Sequence, residues 1–377
     1  MRVQQLLLAT TCCVAMGCTL LGCTWGYGDL ADPNDASVAS DAGTTDAVAF
    51  DAANFAPTTP NCEGVSPLVG QGGLIQTPQS CEGGIVSYLV SDQLFRTTLG
   101  TSVVTENVSA GLDLLSAGSD SSGVLSPNGE WLLLETSRFD PECEEESCLA
   151  LVNADLSSGE VIKLGDQVLH GDDFSAVDST GQRIVYPFDG GPNSKDLFAI
   201  NKSGDTWTPP ILLTAESPFP FNRQPSINAD GSKVVFDCGN DPFGQPPTSI
   251  CEVQTDGCGF RVVWTPEQGA VGAAGRSDVA LHHPSYLSDG SIVFESDWNS
   301  EQIWRLAGEG PPEVIASEFS NDNSPCVMQN GCIVSLWLGR PGGTGTHELK
   351  IMDQSGGNFN MLRTDIDIDD SGTSCAL

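Results

Sequence analysis

Residues Pro225 to Phe236 read PSINADGSKVVF, and this stretch decides the fold of the chain. An Asp-Gly pair ends a short polar segment, and an apolar triplet follows it almost at once. Asp-Gly between two apolar runs is the strongest short-range signal for a β-hairpin, because Gly accepts the positive φ of a tight turn. The stretch therefore predicts two antiparallel strands joined at Gly231.

The same turn recurs along the chain. Aligning the sequence on the turn glycine gives six copies, at positions 84, 129, 181, 231, 290 and 331. The gaps are 45, 52, 50, 59 and 41 residues, with a mean of about 49, a period typical of propellers and other repeat architectures. Most turns are followed by a second hairpin, so one repeat holds four short strands. We name them strands a, b, c and d, with the Asp-Gly turn between a and b.

These repeats resemble the WD40-like repeat of the propeller domain of TolB and its relatives. The shared pattern is Pro-Ser, three residues, Asp-Gly and an apolar run that ends in Phe; it begins at Pro225 and again at Pro284. The resemblance covers roughly residues 75 to 377 and implies an all-β, six-bladed β-propeller of four-stranded antiparallel blades. Propellers serve many functions, so the resemblance specifies the fold far better than the function.

The two ends of the repeat region complement each other. Residues 373–377 align with strand a of the last full repeat, whereas the first repeat, from Ile85, lacks a good strand a. We therefore predict that the C-terminal strand completes the first blade and closes the ring. The same alignment predicts a disulfide between Cys81 and Cys375, and a local Cys62–Cys81 bridge is the alternative.

Ten cysteines follow residue 60, and an even count in an exported chain indicates disulfides rather than free thiols. Cys62 and Cys258 have no obvious mates, and spacing alone leaves the pairing open. The other candidates lie near one another in pairs. Cys143 and Cys148 share a loop, Cys238 and Cys251 lie on neighbouring strands, and Cys326 and Cys332 flank a turn.

The N-terminal segment resembles the export signal of a bacterial lipoprotein. Residues 1–22 carry one early positive charge and an apolar core from Leu6 to Met16, which is too short to span a bilayer. The sequence Leu-Leu-Gly before Cys23 resembles a lipobox, which implies cleavage before Cys23 and a lipid on its thiol. An ordinary signal peptide with incidental cysteines is the alternative.

The composition changes after the signal. Residues 23–60 are rich in Ala, Asp, Ser and Thr and cannot bury enough apolar surface to fold, so they predict a disordered tether. Residues 61–377 then form the propeller. We expect this arrangement to place the propeller in the cell envelope, anchored at the outer membrane or the periplasmic face.

Charge restricts the partners. Fifty acidic against 15 basic residues give a net charge of −35, which repels phosphate backbones and excludes nucleic acid as a partner. Such a field favours cations or basic surfaces, and solubility alone is the alternative explanation. We expect a monomer that binds a protein or a carbohydrate ligand.

The loops between strand d of one blade and strand a of the next meet at one mouth of a propeller's channel. Their polar side chains predict a rim that binds a cation, a sugar or a basic partner, unless they only satisfy loop backbone groups. No cofactor is firmly implied, although calcium would suit the oxygen ligands. Residues 365–370 alternate Asp and Ile as a calcium loop could, but they lack the turn Gly and final Glu of an EF-hand, and this pattern favours a strand. The rim candidates are Asp172, Asp173, Arg223, His282, His283, Asn321 and Asp322.

The sequence contains neither a Gly-x-Ser-x-Gly elbow nor a phosphate-binding loop of the Gly-x-x-x-x-Gly-Lys type. We therefore favour a non-enzymatic, lipid-anchored binding or scaffold module for an envelope protein or another ligand. TolB's N-terminal α/β domain has no counterpart here, because the tether occupies its place. The alternative is a metal-dependent carbohydrate-active enzyme that resembles the oligogalacturonate lyases and holds a divalent metal with His170, His282 and His283.

Overall fold

The computed structural model is all-β, with short antiparallel strands and helices of one turn. None of the described helices is long and apolar enough to cross a membrane. The predicted signal, Cys23, the tether and Cys62 lie outside the described residues. The structure describes residues 81, 83–90, 93–99, 104–144, 147–170, 174–191, 194–298, 302–315, 322–328, 330–338, 347–356, 360–363 and 374–376.

The described residues form six groups of four strands, here called units 1 to 6. Unit 1 contains β1 (Ile85–Val90), β2 (Gln93–Thr98), β3 (Val104–Asn107) and the last strand, β27 (Ser374–Ala376). Helix α1 (Val108–Leu112) leads to unit 2, which contains β4 (Asp120–Leu125), β5 (Trp131–Thr136), β6 (Cys148–Asn153) and β7 (Gly159–Val161). A 3-10 turn (Pro141–Cys143) precedes β6, and the hairpin β8 (Lys163–Leu164) and β9 (Gln167–Val168) follows β7.

Units 3 and 4 form one continuous sheet, because β12 and β15 share a parallel bridge. Unit 3 contains β10 (Ala176–Val177), β11 (Arg183–Gly191), β12 (Ser194–Ser203) and β14 (Ile211–Leu212), and β13 (Thr206–Trp207) pairs with the end of β12. Unit 4 contains β15 (Phe221–Ile227), β16 (Lys233–Gly239), β17 (Thr248–Gln254) and β18 (Arg261–Trp264).

Units 5 and 6 are separate four-stranded antiparallel sheets. A 3-10 turn (Pro266–Gln268) leads to unit 5, with β19 (Leu281–Tyr286), β20 (Ile292–Ser296), β21 (Gln302–Leu306) and β22 (Glu313–Val314). Unit 6 contains β23 (Asp322–Val327), β24 (Ile333–Leu338), β25 (His347–Met352) and β26 (Asn360–Arg363).

The predicted a–b turns are present. The N–H of Gly231 donates to the carbonyl of Asn228 at 2.9 Å, and Gly231 has a φ of 70°, which favours glycine. In unit 1 the corresponding hydrogen bond, at 3.2 Å, runs from Gly84 to Cys81. The positive φ there, 90°, belongs to Gly83, one residue earlier than the alignment predicted.

The core is divided into layers between neighbouring units. Between units 4 and 5, buried Val235 and Ile250 pack with Phe294 and Trp304. Similar buried clusters join units 1 and 2, 3 and 4, 5 and 6, and 6 and 1. Strands b and c therefore carry apolar residues on both faces, which explains their nearly continuous hydrophobic runs.

The predicted closure by the C-terminal strand is confirmed. Strand β27 pairs antiparallel with β1, and Cys375 lies opposite Val86. The hydroxyl of Ser374 also accepts the backbone N–H of Leu125, at 3.0 Å, and so connects unit 1 to unit 2. The first sheet thus contains residues from both ends of the propeller sequence.

The predicted Cys81–Cys375 disulfide is wrong, and so is its local alternative, Cys62–Cys81. The bonds are instead Cys81–Cys332 and Cys326–Cys375, so Cys326 and Cys332 do not pair with each other. The alignment correctly made Cys326 and Cys375 equivalent, as it did Cys332 and Cys81. Equivalent positions of neighbouring units lie side by side around a channel, so the bonds join units 6 and 1 rather than the two sides of one turn.

Two other candidate pairs are disulfides within single units. Cys143 bonds to Cys148 in the loop before β6, and Cys238 on β16 bonds to Cys251 on β17. Cys258, for which the sequence offered no mate, is disulfide-bonded as well. This many disulfides indicates an extracytoplasmic location, since cytosolic thiols are kept reduced.

Candidate functional site

The first strands of the units surround a central channel. Residues of β4, β10, β15, β19, β23 and β27 all line one cavity, whose volume is about 160 Å³. Serines and prolines of strand a, such as Ser226, Pro284 and Pro325, form much of the wall. The space is small compared with the 300–1,000 Å³ typical of sites for drug-sized ligands.

The strand-a residues at the start of the channel have an unusual backbone. Gln224, His283 and Ser324 have φ values of 52°, 48° and 45°, and Phe174 has a φ of 68° at the corresponding place in unit 3. In β15, β19 and β23 the pairing register shifts at this point. Positive φ is costly for residues other than glycine and is found most often at functional sites, which directs attention to this end of the channel.

Three predicted rim residues meet at this end, and we call their surroundings the channel mouth. Arg223 lies on β15, and His282 and His283 lie on β19, so these residues belong to strand a and not to the preceding loops in which the sequence analysis placed them. The other rim candidates cannot be placed: Asp172, Asp173 and Asn321 lie outside the described residues, as does the side chain of Asp322.

Asp237, at the end of the apolar run of β16, organises the first half of the channel mouth. Its Oδ2 accepts Nη2 of Arg223 at 3.0 Å and lies 3.1 Å from Nδ1 of His282. Its side chain is only 1% exposed, whereas His282 keeps 23% of its surface. Asp237 Oδ1 and Arg223 Nε are buried and have no hydrogen-bond partner among the described residues.

The environment of His282 favours its charged form. Burial disfavours the imidazolium, but the hydrogen bond to Asp237 and the negative charges of Asp237 and Glu295 outweigh burial and the repulsion from Arg223. The net effect raises the pKa of His282 above its ordinary value. This ring therefore gains a proton more readily than a histidine in water.

Glu295, on β20, organises the second half of the channel mouth. Its Oε2 lies 3.1 Å from Nδ1 of His283 and accepts the backbone N–H of Ser324 at 3.0 Å. Burial disfavours the carboxylate, but these hydrogen bonds and the attraction of the two histidine rings lower the pKa of Glu295 below its ordinary value. The carboxylate thus links units 5 and 6.

Gln224 links units 4 and 5 through His283. Its Oε1 accepts the backbone N–H of His283 at 3.0 Å, which fixes the orientation of the amide. Its Nε2 lies 2.9 Å from Nε2 of His283. An amide nitrogen only donates, so Nε2 of His283 accepts and Nδ1 carries the proton directed at Glu295. Both ring nitrogens of His283 are therefore occupied.

A loop between β16 and β17 covers Arg223 and His282. The carbonyl of Pro242 accepts Nη1 of Arg223 at 3.1 Å. A Cβ on Gly244 would come within 2.9 Å of that guanidinium and 3.1 Å of the His282 ring, so the backbone approaches closely here. Next to it, Phe243 is 85% exposed, so the loop displays a large apolar side chain beside the buried polar groups.

The three candidate histidine ligands do not converge on one point. His170 follows β9, where Nδ1 lies 3.3 Å from the carbonyl of Ser147 and 3.9 Å from Sγ of Cys148. Nδ1 of His282 and Nδ1 of His283 face different carboxylates. Among the described residues, no group of three His, Cys, Asp or Glu side chains is placed to hold a metal ion.

The sequence analysis missed the two carboxylates that orient the histidines. A signal for them exists: Asp237 follows Val-Val-Phe and Glu295 follows Ile-Val-Phe, so an acid follows the apolar triplet of strand b in both of the best-matching repeats. An acid directly after a buried triplet requires a partner, and the strand register places that partner on strand a. Gln224 carried no comparable signal.

The fold and its channel define the class of the protein as a β-propeller. No protein-family model and no curated protein matches the chain. Among solved structures, the chain is similar to the putative TolB from Agrobacterium tumefaciens, with 16% identity over 77% of this chain and 92% of that one and a TM-score of 0.52. It is also similar to TolB from Acinetobacter baumannii, with 14% identity over 78% of this chain and 67% of that one and a TM-score of 0.54.

These similarities confirm the predicted TolB-like propeller fold, and at such low identity they establish the fold alone. An oligogalacturonate lyase in complex with manganese shares 15% identity over 72% of this chain and 71% of that one, with a TM-score of 0.46. That score is too low to support an argument about this chain.

Proposed function

We propose that this chain is a lipid-anchored, extracytoplasmic propeller that binds a partner protein at the channel mouth and catalyses no reaction there. The observation that supports the proposal is that exposed Phe243 lies beside the largely buried cluster of Arg223, Asp237 and His282. Aromatic and arginine side chains supply most of the binding energy in protein interfaces when neighbouring contacts exclude water from them.

The channel mouth has a rigid base for such an interface. Gln224, His283, Glu295 and Ser324 form a chain of hydrogen bonds across three units. A surface held in this way loses little entropy when a partner binds. The net charge of −35 further favours a partner that presents basic groups, because it attracts them from a distance.

A photocrosslinking experiment tests the interface. Benzoylphenylalanine at position 243 should crosslink to a defined protein in intact cells, and Arg223→Ala should abolish that crosslink. The same amino acid at position 114 is the matched control, since Leu114 is 88% exposed and belongs to the segment after α1. Crosslinks that are the same from both positions, or unchanged by Arg223→Ala, would contradict a specific interface at the channel mouth.

Lipid anchoring at Cys23 is the second part of the proposal, and the lipobox-like sequence supports it. Cys23→Ser should release the chain from membranes and remove labelling by palmitate. Cys18→Ser is the control, because Cys18 is the other nearby cysteine after an apolar segment and should leave both properties unchanged. Continued membrane association of the Cys23→Ser variant would exclude this anchor.

Calcium binding by the acidic loops also stays a prediction. Thermal melts with millimolar calcium and with chelator decide it, because a ligand of the native state raises its melting temperature. The lyase-like alternative receives no support from the described histidine geometry. Elemental analysis tests it. Stoichiometric manganese or zinc in the wild-type protein that is lost in a His282→Ala/His283→Ala variant would support the lyase-like alternative.

A further inference from the structure

The junctions between neighbouring units repeat one contact at the end opposite the channel mouth. At two of these junctions the residue that opens strand b, the second after the turn glycine, contacts the turn glycine of the next unit. Trp131 of unit 2 stacks so closely on Gly181 of unit 3 that a Cβ there would lie 2.6 Å from the indole. Arg183 of unit 3 donates to the carbonyl of Gly231 at 2.6 Å.

Arg183 closes the junction between units 3 and 4. The same Nη1 also donates to the hydroxyl of Thr255, the residue after β17, at 2.6 Å. Its Nε donates to Asn201 on its own sheet, at 2.7 Å. The guanidinium thus occupies the space between units 3 and 4 and donates three hydrogen bonds there.

The next junction, between units 4 and 5, is open. Lys233 takes the place of Arg183, and Ala307, the residue after β21, takes the place of Thr255. A shorter cation without a fork and a methyl group without a hydroxyl cannot make the same bonds. The ammonium of Lys233 has no hydrogen-bond or ion-pair partner among the described residues, and a cleft of about 380 Å³ remains between the sheets.

The buried carboxylates of this cleft are already neutralised. Glu252 is 2% exposed and accepts Arg261 Nε at 2.8 Å and the hydroxyl of Tyr286 at 2.8 Å. Asp289 accepts Arg305 Nη2, and both of these side chains are less than a tenth exposed. The third acid, Asp230, lies at the exposed edge, where Lys233 attracts it, so the charges around the cleft balance. Among the described residues, Lys233 Nζ and the Nη atoms of Arg261 have no hydrogen-bond partner, so both groups keep donors that face the cleft.

The same cleft has an apolar wall. Ile292, Leu306 and Leu287 are each less than 5% exposed and line it together with the ring of Tyr286. Its volume falls within the range typical of sites for small organic molecules, which the central channel does not reach. Free cationic donors beside an apolar wall are the features of a pocket that orients an organic anion.

We propose that the cleft between units 4 and 5 binds a small organic molecule carrying a carboxylate or phosphate group, which Lys233 and Arg261 hold while Tyr286 and Leu306 contact its carbon skeleton. The site is separate from the channel mouth, because the two lie at opposite ends of strand a. The attraction comes from hydrogen bonds that these two charged groups donate at short range, since the cleft itself carries as many acids as bases.

Three probes with one aromatic skeleton test the site: benzoate, phenyl phosphate and the neutral benzyl alcohol. We expect saturable binding of at least one anion by isothermal titration at concentrations up to about 10 mM, and none of benzyl alcohol. The preferred anion identifies the group that the cleft accepts. Absence of saturable binding by both anions would overturn the proposal.

Variants then locate the binding. Lys233→Gln and Arg261→Gln should each lower the affinity for the anion about tenfold or more, the loss expected when a charged hydrogen bond is removed. Lys163→Gln, which removes an exposed positive charge at β8, is the control and should leave affinity unchanged. Equal affinity in Lys233→Gln and wild type would place the anion elsewhere and overturn the assignment.

A closing variant separates shape from charge. Lys233→Arg combined with Ala307→Thr recreates the residues of the sealed junction and keeps the positive charge. This variant should retain the fold, since its residues are those of the junction between units 3 and 4, and should lose the anion. A folded closing variant, verified by circular dichroism, that binds as tightly as wild type would contradict a site inside the cleft.

Discussion

The junction between units 6 and 1 and the junction between units 3 and 4 solve the same packing problem in different ways. Units 3 and 4 meet through the bridge between Lys195 and Phe221 and through the hydrogen bonds of Arg183. Units 6 and 1 are joined by two disulfides, one of which links residues separated by 251 positions.

The difference follows from chain entropy. Consecutive units are already close along the chain, so bringing them together loses little entropy and polar contacts are sufficient. The first and last units must find each other over the length of the whole propeller, and β27 offers three residue pairs to β1. Among the described residues, the two disulfides that join different units therefore lie at the junction where closure is most costly.

The largest effect is expected from removing the covalent junction. Replacing Cys81 and Cys332 by Ala, which opens the disulfide that spans 251 positions, should lower the free energy of unfolding by about 5 kcal/mol, because the unfolded chain regains the entropy of a very long loop. Urea denaturation measures this loss.

The control is the Cys238→Ala/Cys251→Ala variant, which opens a disulfide that spans 13 positions within unit 4. Its loss should be smaller, about 3 kcal/mol. An equal or greater loss from the local pair would contradict the entropic account of the closure.

A smaller effect is expected at the non-covalent junction. Arg183→Met keeps most of the side-chain volume but removes the hydrogen bonds to Gly231 and Thr255, and should lower the free energy of unfolding by about 1–3 kcal/mol. Lys233→Met at the next junction should change it by less than about 0.5 kcal/mol, because Lys233 has no such bonds to lose. Similar losses in both variants would mean that the two junctions do not differ as described.

The smallest effect is a pH dependence confined to the non-covalent junctions. The folded-state pKa of His282 is raised above 6.5, so its stabilising contribution is complete below that pH and is lost as pH rises through the folded value. The pKa of Glu295 is lowered below 4.5, so its contribution is present above that pH and is lost as pH falls through the folded value. Both contributions are present between these two pH values.

Urea midpoints test this dependence. Between about pH 6 and pH 8 the wild-type midpoint should fall, and His282→Gln should remove the part of the fall that this ring causes. His170→Gln is the control, since His170 lies far from the channel mouth in a different unit. An undiminished fall in the His282→Gln variant would assign the dependence to other groups.

The sequence predicted the repeat and the closure because both rest on local patterns. Turn glycines, apolar triplets and the position of Cys375 all follow from the alignment of one repeat on another. The disulfide partners could not be predicted in this way, because the alignment identifies equivalent residues but not which of them face each other between units. Cys326 and Cys375 are equivalent and for that reason adjacent around the channel.

The channel mouth was predictable in part for a similar reason. Arg223, His282 and His283 stand out because charged and imidazole side chains occur just before the Pro-Ser pair of the repeat. Their partners Asp237 and Glu295 belong to strand b, and only the strand register brings them opposite. The cleft at Lys233 gave no signal in the sequence. It exists because Lys233 and Ala307 do not fill the space that Arg183 and Thr255 fill at the preceding junction.

The entry of β27 into the first sheet also determines the order in which this protein can be finished during its synthesis. Units 2 to 6 contain only strands that are consecutive along the chain, so each can assemble soon after its residues emerge. Unit 1 emerges before them but lacks one strand until Ser374–Ala376 has been made, almost the whole propeller later. Throughout that interval β1 lacks the strand that pairs with it in the described part of the finished sheet, and an exposed strand edge is the kind of surface that other chains and holding chaperones recognise.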